Sequence, residues 1–113
     1  METAQYMSDP KPFVLAPPAT EDYIEILGEG KSVALHSGRV LLLPGKDCGK
    51  HTTGHHEELI IVLSGEGELE VAGIGRTMIR AGMVAYNPPQ TEHNVINTGS
   101  EPLAYIYIVA PTK

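Results

Sequence analysis

The sequence is poor in the residues that define several large protein classes. It contains one cysteine, Cys48, and no tryptophan among its 113 residues. A single cysteine rules out an intrachain disulfide and a cysteine-based zinc finger, and it makes the reducing cytoplasm the expected location. No stretch approaches the roughly 18 consecutive apolar residues that a membrane-spanning helix needs. We therefore predict a cytoplasmic protein without a membrane span.

Positive charge is also scarce. The chain carries 8 lysines and arginines against 14 aspartates and glutamates, which gives a formal net charge of −6. Nucleic acids and anionic membranes attract basic surfaces, so neither is an expected partner. The composition, 42% hydrophobic and 19% charged, is that of an ordinary globular protein, and the length suits one domain. The expected partners are a small molecule and a second copy of the chain.

Long segments without glycine or proline are missing as well. The chain has 12 glycines and 9 prolines, and residues 55–64 form the longest stretch free of both after the N-terminal tail. This leaves no room for a long helix. Within that stretch the β-branched run from Ile60 to Val62 predicts a strand that is apolar on both faces.

Short apolar segments between turn signals predict an all-β sandwich or barrel. In one of them Leu69 and Val71 alternate with two glutamates, which indicates a strand with one solvated face. Residues 1–18 are rich in proline and lack periodicity, so we predict an extended N-terminal arm followed by a domain over residues 19–113. The predicted strands cover residues 23–27, 32–36, 39–43, 57–63, 68–71, 77–79, 84–86, 94–96 and 103–109.

Clustered histidines are the main chemical signal. Four of the five lie in two places: the segment HTTGHH at 51–56, followed by two glutamates, and His93. Imidazole and carboxylate groups together suit divalent transition metals. The period of two in a strand places His56 and Glu58 on one face, and a turn at residues 53–54 could bring His51 across from them. The alternative is a solvated turn with freely titrating histidines.

Two spaced motifs make the sequence resemble the cupin family. The first motif, G-x5-H-x-H-x(3,4)-E-x6-G, has its anchors at Gly45, His51, Glu58 and Gly65, with Thr53 where the family has its second histidine. The second, G-x5-P-x-G-x2-H-x3-N, has its anchors at Gly82, Pro88, His93 and Asn97, with Gln90 in place of glycine. The resemblance implies a single-domain β-barrel of the jelly-roll type, also called a double-stranded β-helix.

The resemblance also implies a metal site inside the barrel. In that family the histidines and the glutamate of the two motifs bind one metal, which points to His51, Glu58 and His93 here. A threonine hydroxyl is a poor ligand for such metals, so Thr53 breaks the pattern. His56 shares the inward parity of Glu58 and is our candidate for the missing ligand, with a histidine at the pocket mouth as the alternative. The expected cofactor is one divalent transition metal per chain, namely Fe, Mn, Ni, Cu or Zn.

Tyr105 and Tyr107 share one face of the last predicted strand, so their phenols could enter the barrel and serve as catalytic residues. The favoured function is a metal-dependent enzyme of dioxygenase, lyase or isomerase type that acts on a small organic molecule. The alternatives are a non-catalytic barrel that binds or senses a small ligand and, ranked last, a metal-free epimerase that uses His51 as base. The apolar strands at 59–63 and 103–109 predict a homodimer, because so small a monomer cannot cover them.

Overall fold

The computed structural model describes residues 9–113, and this part of the chain is built from antiparallel strands. No helix occurs between residues 9 and 113, and therefore none there is long and apolar enough to cross a bilayer. The all-β prediction is confirmed. The strands are β1 (Tyr23–Leu27), β2 (His36–Leu42), β3 (His51–Thr52), β4 (His56–Ser64), β5 (Glu66–Val71), β6 (Gly75–Arg80), β7 (Val84–Asn87), β8 (Glu92–Ile96) and β9 (Leu103–Pro111).

The strands form two sheets that face each other. The larger sheet has the order β1-β2-β9-β4-β7, and the smaller has the order β3-β8-β5-β6. Strands distant in sequence lie side by side, which is the arrangement of a jelly-roll barrel. The inward side chains of both sheets pack into one core. Its buried members are Leu42, Ile60, Val62, Leu69, Ile79, Val95, Leu103 and Tyr105.

The predicted alternation in β5 is confirmed. Leu69 is buried, while Glu68 and Glu70 point outward and form ion pairs with Arg76 on β6 at 3.2 and 3.3 Å. In β4, by contrast, burial on both faces is not complete within one chain. Ile60 is buried, but Leu59 on the opposite face remains 38% exposed. The outer face of this strand therefore contributes apolar surface to the exterior of the barrel.

The structure differs from the two strands predicted at 32–36 and 39–43. Residues 32–35 lie outside the strands, with a bend at 33–34, and β2 begins at His36 and continues through Gly38 to Leu42. The predicted strand at 32–36 is therefore absent except for its last residue, and the predicted strand at 39–43 begins earlier, at His36. Gly38 has no positive φ, and it lies in register between Glu25 of β1 and Tyr107 of β9. Its small size serves side-chain packing in the sheet rather than a turn.

The first eight residues of the predicted arm lie outside the described residues. Residues 9–18 contain no regular secondary structure and are mostly exposed. The end of this segment is fixed by Arg39, whose guanidinium donates to the carbonyl oxygens of Pro18 (2.8 Å) and Glu21 (2.7 Å). Arg39 therefore serves the outside of the barrel and does not enter the cavity. The boundary between arm and domain at residue 18 stays a prediction.

Asn97, the last anchor of the second motif, ties two loops together. Its buried amide donates to the carbonyl oxygens of Leu42 (2.9 Å) and Glu101 (2.8 Å) and accepts from the Gly99 amide (2.9 Å). We expect Asn97→Ala to lower the free energy of unfolding by about 2 kcal/mol, because buried carbonyls would lose their donors. Denaturant unfolding beside the exposed-site control Thr98→Ala tests this. Equal stability of the two variants would contradict it.

Candidate metal centre

A cavity of about 540 Å³ lies between the two sheets. Its volume is in the usual range for small-molecule sites. One end is lined by His51, Glu58 and His93, and the rest of the wall is mainly apolar. Ligand-competent atoms of these three side chains all lie within 4.8 Å of one another. The structure thus gathers three of the four predicted metal ligands at one point.

Strand pairing across the barrel explains this grouping. His51 on β3 is in register with His93 on β8 in the smaller sheet, and Glu58 faces them from β4 in the larger sheet. The two imidazole rings lie with their centroids 4.4 Å apart. The predicted pairing of His51 with the segment at 56–58 was wrong, since the two belong to different sheets. The turn at 53–54 connects the sheets and does not form a hairpin within one.

Backbone carbonyls fix the orientation of both imidazoles. Nδ1 of His51 lies 2.8 Å from the carbonyl oxygen of Gly49, and Nδ1 of His93 lies 3.0 Å from that of Thr91. A carbonyl oxygen only accepts, so each Nδ1 must carry the proton that it donates. Each neutral ring then keeps a free lone pair on Nε2. This is the usual arrangement of metal-binding histidines, in which the second nitrogen is anchored by a hydrogen bond.

The contact between His93 and Glu58 shows that the site fits a cation. Nε2 of His93 is buried and has no hydrogen-bond partner as a neutral ring, yet it lies 2.9 Å from Oε1 of Glu58. Two acceptors at this distance repel each other unless a proton or a metal ion lies between them. Asn87 holds the carboxylate in place by donating to the same oxygen at 3.0 Å. Two imidazole nitrogens and a carboxylate form a donor set typical of divalent transition metals.

The electrostatics of this pair follow from its burial. Burial opposes ionisation of Glu58, but hydrogen bonds from His93 and Asn87 outweigh it and lower the pKa of the carboxyl below its ordinary value. Burial likewise disfavours the charged form of His93, and the bonds to Glu58 and to the Thr91 carbonyl outweigh it and raise the pKa of the imidazole. Without a metal, the two groups therefore tend to share a proton as an ion pair.

Thr53, the residue that departs from the family motif, has a structural role. Its buried hydroxyl donates to the carbonyl oxygen of Pro88 (2.7 Å) and accepts from the amide of Thr91 (3.0 Å). Both bonds fasten the loop at residues 88–91, which leads to His93. In that loop Gln90 has a φ of 57°, in the left-handed region that glycine adopts more easily. Thr53 thus positions the loop that leads to His93 and does not itself act as a candidate ligand.

His56, the fourth predicted ligand, does not join the group. It lines the cavity, as the shared face with Glu58 predicts, but it is exposed at the first residue of β4. Among the described residues, the group whose atoms lie close enough together to hold a metal consists of His51, Glu58 and His93. The position of His56 is that of a histidine at the cavity mouth, the alternative considered from the sequence.

The two predicted catalytic tyrosines both line the cavity. Tyr105 is 3% exposed, and its burial raises the pKa of the phenol far above its ordinary value. Burial and a hydrogen bond with Tyr23 raise the pKa of Tyr107 in the same direction. Both phenols therefore keep their protons near neutral pH. Sequence reasoning missed two further residues of this wall, Tyr23 and His36, whose inward position depends on the long-range register of β1, β2 and β9.

Fold and motifs agree with the comparison to known families. The profile of the cupin domain matches residues 38–109, which is more than half of the chain. The chain therefore belongs to the cupin superfamily, as a single cupin domain. Cupins commonly bind a metal, and the His51, Glu58 and His93 group is one that could hold it.

Solved structures show the same fold. A Klebsiella pneumoniae protein with a double-stranded β-helix domain has a TM-score of 0.75 at 23% identity, and the match covers 91% of this chain and 93% of that one. A cupin 2 conserved barrel domain protein from Salinispora arenicola has a TM-score of 0.72 at 21% identity, and the match covers 88% of this chain and 90% of that one. A predicted oxalate decarboxylase from Thermotoga maritima has a TM-score of 0.64 at 28% identity, and the match covers 67% of this chain and 65% of that chain. No curated protein matches the chain.

Proposed function

We propose that this cupin is a metal-dependent enzyme that acts on a small organic molecule, with one divalent transition metal held by His51, Glu58 and His93. The observation that carries the proposal is the buried Nε2 of His93 facing the Glu58 carboxylate with no proton of its own in the neutral ring. The reaction type is that of a dioxygenase, a lyase or an isomerase. The 28% identity with a protein described as a predicted oxalate decarboxylase favours the lyase type, since decarboxylation is a lyase reaction.

In this proposal the residues around the cavity have separate chemical roles. When bound, the metal supplies Lewis acidity and open positions for an oxygen of the substrate. Asn87 keeps the Glu58 carboxylate oriented, and the apolar wall excludes water from the substrate. Tyr105 and Tyr107 hold their protons, so they act as hydrogen-bond donors or general acids rather than as bases.

The experiment that tests the proposal is elemental analysis of the purified protein without an affinity tag. We expect about one transition metal per chain, as isolated or after reconstitution. The loaded protein is then assayed for oxygen consumption and for carbon dioxide release from a panel of small carboxylic acids. Absence of metal after reconstitution would overturn the metalloenzyme proposal and favour the ligand-binding barrel. Metal without turnover of any tested acid would favour a sensor.

We further propose that the protein is a homodimer and that it is cytoplasmic. Support for the cytoplasm comes from the lone thiol of Cys48, which fits a reducing compartment. Support for the dimer comes from an apolar face on the outer side of the larger sheet, where the strand register places apolar residues next to one another. This outer apolar face consists of Leu59, Ile61, Val84, Tyr86, Ile106 and Ile108.

A further inference from the structure

A second polar cluster lies on the cavity wall away from the metal-centre residues. The hydroxyl of Tyr107 on β9 is hydrogen-bonded to the hydroxyl of Tyr23 on β1 and lies 3.0 Å from Nε2 of His36 on β2. The Tyr107 ring stacks on Tyr23 with centroids 6.3 Å apart and lies 5.7 Å from the His36 ring. All three side chains line the same cavity as the metal centre. We call this cluster the phenol relay.

Gly38 creates the space that the phenol relay occupies. A Cβ atom at this position would lie 2.6 Å from the hydroxyl oxygen of Tyr23, well inside the contact limit. The backbone of Gly38 has no positive φ, so the missing side chain serves packing and not a turn. The Tyr23 ring can therefore lie across the sheet and reach Tyr107. Tyr23 is 47% exposed, which places it at the mouth of the cavity.

Strand register sets the distance between the phenol relay and the metal centre. His36 is in register with Val109 on β9, and Val109 is in register with Glu58 on β4. Neighbouring strands lie about 4.8 Å apart, so the backbones of His36 and Glu58 are about 10 Å apart. The side chain between them is that of Val109, which lines the cavity, and the apolar side chains of Val40 and Ile60 line other parts of the same wall. The cavity thus has two polar ends separated by an apolar band.

The phenol relay can present either a donor or an acceptor to a ligand. When Nε2 of His36 carries no proton, the hydroxyl of Tyr107 donates to it and the hydroxyl of Tyr23 donates to Tyr107. The oxygen of Tyr23 then keeps its lone pairs free to accept from a ligand. When Nε2 carries a proton, the chain of bonds runs the other way and Tyr23 donates outward. A ligand hydroxyl or carbonyl oxygen therefore finds a matching partner at this end.

We propose that the cavity binds its substrate by both ends, with a carboxylate at the metal centre and a hydroxyl or carbonyl oxygen at Tyr23, Tyr107 and His36. The substrate class is then a small hydroxy acid or oxo acid with an aliphatic middle. The inference rests on the proposed function, because the carboxylate is bound through the metal. Within it, Tyr23, Tyr107 and His36 determine specificity at the distal end of the substrate.

The test uses protein loaded with Co²⁺, whose visible absorption band reports both metal binding and carboxylate binding. The probes are unbranched carboxylic acids of increasing length, each with and without a terminal hydroxyl. We expect the hydroxylated acid of one length to bind about tenfold tighter than its plain counterpart, the value of one good hydrogen bond. Tyr107→Phe and Tyr23→Phe should remove that advantage, so that each variant binds the hydroxylated and the plain acid with similar affinity.

Two further variants separate a specific role from a loss of folding. Gly38→Ala should displace Tyr23 and reduce the advantage of the hydroxylated acid, while Tyr86→Phe, outside the cavity, should keep it. An advantage that survives in Tyr107→Phe and Tyr23→Phe, or one that is absent at every length in cobalt-loaded protein, would overturn this inference alone. Absence of the cobalt band before any acid is added would overturn the proposed function as well.

Discussion

His93→Ala is expected to lower the affinity for Zn²⁺ by about 100-fold or more. Loss of a group that only orients a ligand costs about 10–100-fold, and loss of the ligand itself removes a donor from a set of three. His51→Ala and Glu58→Gln should have effects of similar size, the latter because a neutral amide replaces the carboxylate. Competition with a chromophoric chelator measures the affinities, and thermal unfolding without metal checks that each variant is folded.

Two neighbouring histidines provide the control. His55 is exposed and does not line the cavity, and His56 is exposed at its mouth. We expect His55→Ala and His56→Ala to bind zinc as the wild type does. A large loss in His56→Ala would instead make His56 the substitute for the missing motif histidine. An unchanged affinity in His93→Ala would contradict the site altogether.

Competition with protons supplies a second measurement on the same site. In the metal-free protein, the hydrogen bonds to Glu58 and to the Thr91 carbonyl outweigh burial and raise the pKa of His93, which favours a proton between His93 and Glu58. Zinc must displace that proton. The apparent affinity should therefore fall as the pH is lowered and should rise with pH until it passes the raised pKa of His93.

The resemblance to the cupin motifs, together with local spacing, predicted much of the candidate site. The two motifs singled out His51, Glu58 and His93, and the period of two correctly placed His56 and Glu58 on the same face of β4. Spacing did not reveal which strands pair, because pairing is a long-range property. His51 therefore turned out to face His93 from the same sheet, although the sequence suggested a hairpin with the segment after the turn.

The phenol relay could not be predicted for the same reason. Tyr23, His36 and Tyr107 are up to 84 residues apart along the chain, and they meet only through the register of β1, β2 and β9. The one local sign was Gly38, which lies inside β2 and leaves room for the Tyr23 ring. A glycine in a strand marks either a break or a close approach, and the sequence does not distinguish between them.

The homodimer gives the second large expected effect. We expect light scattering to report a mass twice the 12.2 kDa of one chain. The reason is the outer apolar face defined above, where Leu59 is paired across the strands with Tyr86 and Ile61 with Val84. Val84 is 64% and Tyr86 55% exposed in the single chain. Stable interfaces bury about 800 Å² on each partner, and such a patch on a sheet is a suitable centre for one.

Placing charge on this face should separate the subunits. Val84→Lys would require an ammonium group to lose its hydration in an apolar interface, so the variant should sediment as a monomer. The matched control is Ile74→Lys in the β5–β6 turn, which is 81% exposed and lies outside the outer apolar face. The control should keep the mass of the wild type. A monomeric wild type would contradict the dimer. A dimeric Val84→Lys variant would show that the dimer interface lies elsewhere on the barrel.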